Sequence, residues 1–124
     1  MAEGKGAYTA ALGVADTGGG VLSLLNPEGV DLIITRLVLD VTTKATAACT
    51  LDAGVAAAAT TSNDTLINGI DVNAAAGVFG NIDDKAGNGQ AVIRWESDYY
   101  LTISMASGAA AGLVGNAYIE YIRV

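Results

Sequence analysis

The sequence predicts an all-β fold, an antiparallel β-sandwich of about seven or eight short strands. Three observations carry the prediction. Runs rich in Val, Ile, Leu, Thr and Tyr recur at roughly 8 to 12-residue spacing, Gly and Asn clusters separate them, and no stretch keeps a helical period. With 124 residues the chain has the size of one domain.

Residues 1–20 consist mainly of Ala, Gly and Thr and end in Asp16-Thr17-Gly18-Gly19-Gly20. Consecutive glycines carry high conformational entropy, so this segment is expected to be a flexible N-terminal arm with a Gly hinge, ahead of a single β-sandwich domain at 21–124. The arm reads either as a disordered tail or as a segment that orders on a partner, anchored by Tyr8, Leu12 and Val14. Residues 21–25 form a short apolar run closed by the turn Asn26-Pro27-Glu28-Gly29. The clearest strand spans 31–43. Strict alternation there places Ile33, Thr35, Leu37, Leu39 and Val41 on one face, and Ile34, Arg36, Val38, Asp40 and Thr42 on a mixed, wetter one. Residues 46–55 alternate as well and are expected to pair with 31–43 as a hairpin.

Four alanines at 56–59 predict a single helical turn or a loop. Residues 64–72 predict a short strand with a bulge near Gly69, and 73–89 the longest irregular segment, of the kind that makes contacts. Three strands close the chain at 90–96, 99–106 and 117–124, with 107–115 as a small-residue loop. Tyr118 and Tyr121 fall on opposite faces of the last, so one of them is expected at the surface or in an interface.

Charge and composition exclude several functions. Six Lys and Arg against 13 Asp and Glu give a net charge of −7, and the basic residues are scattered. Nucleic acid is not an expected partner, because its affinity is built on clustered cations, and an anionic membrane surface is disfavoured for the same reason. The absence of His removes the commonest general base and zinc ligand. Cys49 is the lone cysteine, so no intrachain disulfide forms, and its alternating surroundings mark it as a small core residue. No run of apolar residues is long enough to span a bilayer, and the N-terminus lacks a signal-peptide pattern, so the chain is expected to be made inside a cell and used unprocessed.

Few residues suggest chemistry. Asp83, Asp84 and Asn88 could hold a calcium ion in a loose loop site or simply make a solvated turn; the EF-hand spacing is absent, since Arg94 or Trp95 falls where its twelfth-position Glu belongs. Glu96 and Asp98 are better read as a polar turn than as a glycosidase pair. Trp95 with Tyr99 and Tyr100 reads either as a platform for a sugar ring or partner, or as ordinary packing. No catalytic residue, cofactor site or enzymatic activity is expected.

The segment order from Asp31 onward carries a resemblance: Ile33-Ile34-Thr35-Arg36-Leu37-Val38-Leu39-Asp40-Val41, then Cys49-Thr50-Leu51-Asp52-Ala53-Gly54-Val55, then Leu66-Ile67-Asn68-Gly69-Ile70-Asp71-Val72, and Tyr100-Leu101-Thr102-Ile103 with Gly115-Asn116-Ala117-Tyr118-Ile119. It resembles the small jelly-roll-like decoration, or cement, proteins of tailed-bacteriophage capsids. The resemblance implies a virion protein made in the host cytoplasm and placed on the capsid outer surface. It implies binding to the major capsid protein, a homo-oligomer with a trimer favoured, and a terminal arm in the contact. The alternative function is a β-sandwich binding module, such as a fibre tip or carbohydrate-binding domain, using exposed aromatics.

Overall fold

A computed structural model of the chain describes residues 4–13, 20–84 and 91–124. Among the described residues nine strands fall in chain order: β1 (Gly4–Ala11), β2 (Gly20–Leu25), β3 (Leu32–Thr43), β4 (Cys49–Ala56), β5 (Ile67–Asp71), β6 (Gly77–Gly80), β7 (Ile93–Trp95), β8 (Tyr100–Gly108) and β9 (Val114–Arg123). All pairings are antiparallel. One sheet runs β1-β9-β3-β6, with β7 also on β3, and the other runs β2-β8-β4-β5. The predicted all-β sandwich is the fold. Its pairs nest, β1 with β9, β2 with β8, β3 with β6 and β4 with β5, which is the double Greek key of an eight-stranded jelly roll with β7 added.

The core lies between the sheets. Leu32, Ile34, Leu37, Leu39, Ile119 and Trp95 come from one, and Leu51, Ile67, Leu101 and Ile103 from the other, all fully buried. Each such side chain contributes about 1.5–3 kcal/mol relative to exposure. Cys49 is buried among them, and burial, with Asp71 nearby, raises its thiol pKa.

Four expectations need correction. The first is the face assignment of β3, where the buried set is Leu32, Ile34, Leu37, Leu39 and Val41. The register against β9 shifts between Ile34 and Arg36, so Thr35 is the extra residue of a bulge and the alternation changes phase there. Secondly, β3 and β4 are not a hairpin. Each lies in a different sheet, because the link between them crosses over: Ala45 is buried and donates to Val72 O at 2.9 Å, and Thr46 N donates to Ala111 O at 2.9 Å. Thirdly, the irregular segment at 73–89 contains β6, whose Val78 and Phe79 pair with Asp40 and Leu39. Lastly, Gly4–Ala11, expected in a free arm, is the edge strand β1, in register with β9 from Gly4↔Arg123 to Ala11↔Asn116.

A buried amide completes β3. β7 pairs with Leu32–Ile34 and β6 with Val38–Val41, which leaves Leu37 without a strand partner on that side. Asn81 fills the gap. Its Oδ1 accepts from Leu37 N at 2.8 Å, its own N donates to Leu37 O at 3.0 Å, and its Nδ2 donates to Ala91 O at 2.8 Å. A buried polar side chain is tolerated when its bonds are made, and these are.

Candidate functional site

The residues singled out by sequence do not converge on one site. Trp95 has no exposed surface; its Nε1 donates to Tyr99 O at 2.9 Å, and its ring meets the Tyr121 ring edge-on at 6.5 Å. This corrects Trp95 as a platform or partner contact, since it offers no face to solvent. Tyr100 is half-buried at the start of β8, opposite Leu25 and Ala56. Tyr8 is 40% exposed on the edge strand, and Leu12 is buried with its N–H on Gly115 O at 2.9 Å. Val14 and Asn88 lie outside the described residues.

The acidic loop makes structure. Asp84 Oδ2 accepts from Gly80 N at 3.0 Å, and Asp84 N donates back to Gly80 O at 2.9 Å, which closes the turn after β6. Asp83 is exposed. Among the described residues no group of three His, Cys, Asp or Glu side chains is placed to hold a metal ion. On the neighbouring β4, burial raises the Asp52 carboxyl pKa and Asp64 raises it further, while the N–H of Gly69, 2.8 Å away, lowers it. A raised carboxyl opposes folding once ionised, above its folded pKa, and that opposition fades as pH falls. Asp52→Asn, which keeps an acceptor for Gly69, is therefore expected to raise the melting temperature at pH 7 and to lose that advantage in acid. Thermal unfolding at several pH values checks it.

Two polar clusters missed by sequence reasoning position the sandwich ends. Asn26, 5% exposed, donates through Nδ2 to Val30 O (2.8 Å), Trp95 O (3.0 Å) and Glu96 O (3.1 Å), and accepts through Oδ1 from the N–H groups of Glu28 and Gly29. It ties the β2–β3 turn to the β7–β8 turn. The tie aims Glu28 at β9, where its carboxylate accepts from Tyr121 OH and from Arg123 Nε, each at 2.6 Å. Arg123 stacks over the Tyr121 ring and donates through Nη1 to Lys5 O of β1 at 2.8 Å. The signal for this cluster was the Asn-Pro-Glu-Gly turn, but nothing in the sequence pairs it with β9.

The guanidinium of Arg123, then the Tyr121 hydroxyl, hold the Glu28 carboxyl below its ordinary value of 4.5. A depressed carboxyl stabilises the fold above the unfolded pKa, and that stabilisation is lost as pH falls through the folded value. Wild type should exceed Glu28→Gln in stability at pH 7, with the gap closing below about pH 4.5; paired acid titrations of the melting temperature check it.

Two surfaces remain. The first is a groove of about 540 Å³ between β2, β8 and residues 59–62. Four of its hydroxyls are spent inside the protein: Ser23 on Ala59 O, Thr102 on Thr61 O, and Ser62 and Ser104 on each other. The second is the outer face of the β1-β9-β3-β6 sheet. Register puts Thr9, Tyr118, Val38 and Gly80 in one row across it, and Ala11, Asn116, Asp40 and Val78 in the next. Tyr118 is 41% exposed and Val78 69%, with Val114 beyond them. Tyr121, on the opposite face of β9, is buried, as their alternation predicts.

No protein-family model matches the chain, and no curated protein matches it. Among solved structures it is similar to a chain of the Cyanophage Pam1 capsid asymmetric unit, at 16% identity and a TM-score of 0.46, covering 98% of this chain and 87% of that one. A likeness at that TM-score carries no argument about function; the chain's own surfaces do.

Proposed function

We propose that the chain is a non-enzymatic structural protein of a phage virion, which decorates the capsid exterior and reinforces it by bridging subunits of the major capsid protein as a homo-oligomer, with a trimer favoured. The observation that carries this reading is the outer face of the β1-β9-β3-β6 sheet. It presents exposed Tyr118, Val78 and Val114 among small and polar residues such as Thr9, Ala11, Asn116 and Asp40, an aromatic and apolar centre with a polar surround. Jelly rolls serve as capsid domains but also as lectins and cupins, so the topology admits the reading without selecting it. A net charge of −7 suits a position away from packaged nucleic acid. The carbohydrate-binding alternative loses its central ring, because Trp95 is in the core.

The test uses expanded heads of the phage that encodes the protein, prepared without it. Added protein should bind them and raise their melting temperature. Tyr118→Asp should leave the free protein folded, at a cost of about 1–2 kcal/mol for a strand-favouring aromatic and its cross-strand contacts, and weaken head binding by roughly 30-fold or more, as loss of a central aromatic anchor does. Equal binding by the variant removes Tyr118 from the contact. Absence of binding by wild type, with capture on immobilised glycans instead, favours the alternative.

A further inference from the structure

β1 is held to the molecule in an unusual way. None of its eight residues is fully buried, and six are exposed. Its hold is therefore the backbone ladder to β9, with four fastenings at the ends: the Leu12 side chain in the core, Leu12 N on Gly115 O, Gly13 N on Val21 O, and Arg123 Nη1 on Lys5 O. Edge elements with few buried contacts open at the lowest free energy in a fold.

The slot that β1 occupies is far more demanding than the strand itself. Opening it would uncover the backbone of β9 over Asn116–Arg123 and expose more of Ala117, Ile119 and Tyr121, which are buried. It also selects what refills it. Gly6 lies against the Tyr121 ring and the Arg123 guanidinium so closely that a Cβ there would collide with both. A refilling strand must bring glycine to that register. The segment Gly6-Ala7-Tyr8 does so, and every copy of the chain carries one.

We infer that β1 exchanges between copies of this chain, each β1 seating on β9 of a neighbour. The trans pairing repeats every contact of the cis pairing, so the two differ only in connection and in whatever new surface the neighbours bury. The connection sets the geometry: residues 14–19 include Gly18 and Gly19, and six residues extend to about 20 Å, so exchanging copies must meet with Gly13, seated beside the neighbour's Val21, within that reach of the chain's own Gly20. Crowding copies together favours the exchanged form by mass action. This inference concerns self-association and stands independently of the virion reading.

The experiment uses the pair Ala7↔Glu120, exposed on both sides. Leu12 N bonds Gly115 O, so by alternation Ala7 and Glu120 form a non-hydrogen-bonded pair, the closest kind and one that a disulfide can bridge. Full-length Ala7→Cys and a tagged Glu120→Cys are unfolded together, refolded at high protein concentration and oxidised. Exchange predicts a tagged-to-untagged disulfide at twice the 12.4 kDa of one chain, absent from oxidised wild type, whose Cys49 is buried. The double variant, treated alike, should give covalent oligomers. If the double variant instead closes entirely as monomer and the mixture gives no mixed disulfide, β1 stays in cis and the inference is wrong. Thr9→Cys with Tyr118→Cys repeats the measurement one row along, should the first pair fold poorly.

Discussion

Asn26→Ala is expected to lower the unfolding free energy by about 3 kcal/mol, because it strips the amide donor from the carbonyls of Trp95, Glu96 and Val30 and an acceptor from two N–H groups at once. Water can replace some of these partners at the turn, but not readily at Trp95 O, where the hydrogen bond is buried. Urea unfolding should show a lower midpoint with an unchanged slope. Asn26→Asp is a sharper probe. It keeps the acceptor for Glu28 and Gly29 and loses the amide donors, placing a carboxylate oxygen against the carbonyl oxygens of Val30, Trp95 and Glu96. If the aspartate variant matches wild type, the tie between the two turns is not what holds this end of the sandwich.

Trp95→Ala should cost about 3–5 kcal/mol, the range for removing a fully buried large aromatic side chain. For a domain whose total stability is about 5–15 kcal/mol, that leaves a substantial unfolded fraction on mild heating. The variant empties the space beside Tyr121 and leaves Tyr99 O without its indole donor. Trp95→Phe keeps most of the volume and should cost much less. The pair also separates packing from recognition: a binding platform would lose its ligand on truncation while the protein stayed folded, whereas a core ring takes the fold with it.

How much of this was legible beforehand follows from what periodicity can report. Two-residue alternation located most of the strands and the exposure of Tyr118 against Tyr121, because side-chain direction follows chain parity. It misassigned Ile33 and Ile34 because one inserted residue, Thr35, changes the parity without leaving any mark in composition. Pairing was harder still. Residues 31–43 and 46–55 look like a hairpin, yet Ala45 and Thr46 carry the chain between sheets, and that crossover depends on Val72 and Ala111 far along the sequence. The same distance hid Asn81 and the Glu28–Arg123 contact, whose partners lie 44 and 95 residues away. The candidate site is less legible than the fold. Trp95 and Tyr100 stand out in the sequence as aromatic, and burial, which decides whether a ring is presented or packed, depends on the opposite sheet.

The alanine-rich stretches divide between core and surface. Ala56 and Ala110 are buried and serve the sandwich, while residues 57–59 and 74–76 are exposed. Small exposed residues make weak contacts singly, so their role is best judged where neighbours are present. A map of the assembled head at side-chain resolution does this. The proposed function predicts density for this chain on the outer capsid surface, with Tyr118 and Val78 against the major capsid protein. A head map without the chain, or one in which that sheet face points to solvent and another surface makes the contact, would overturn it.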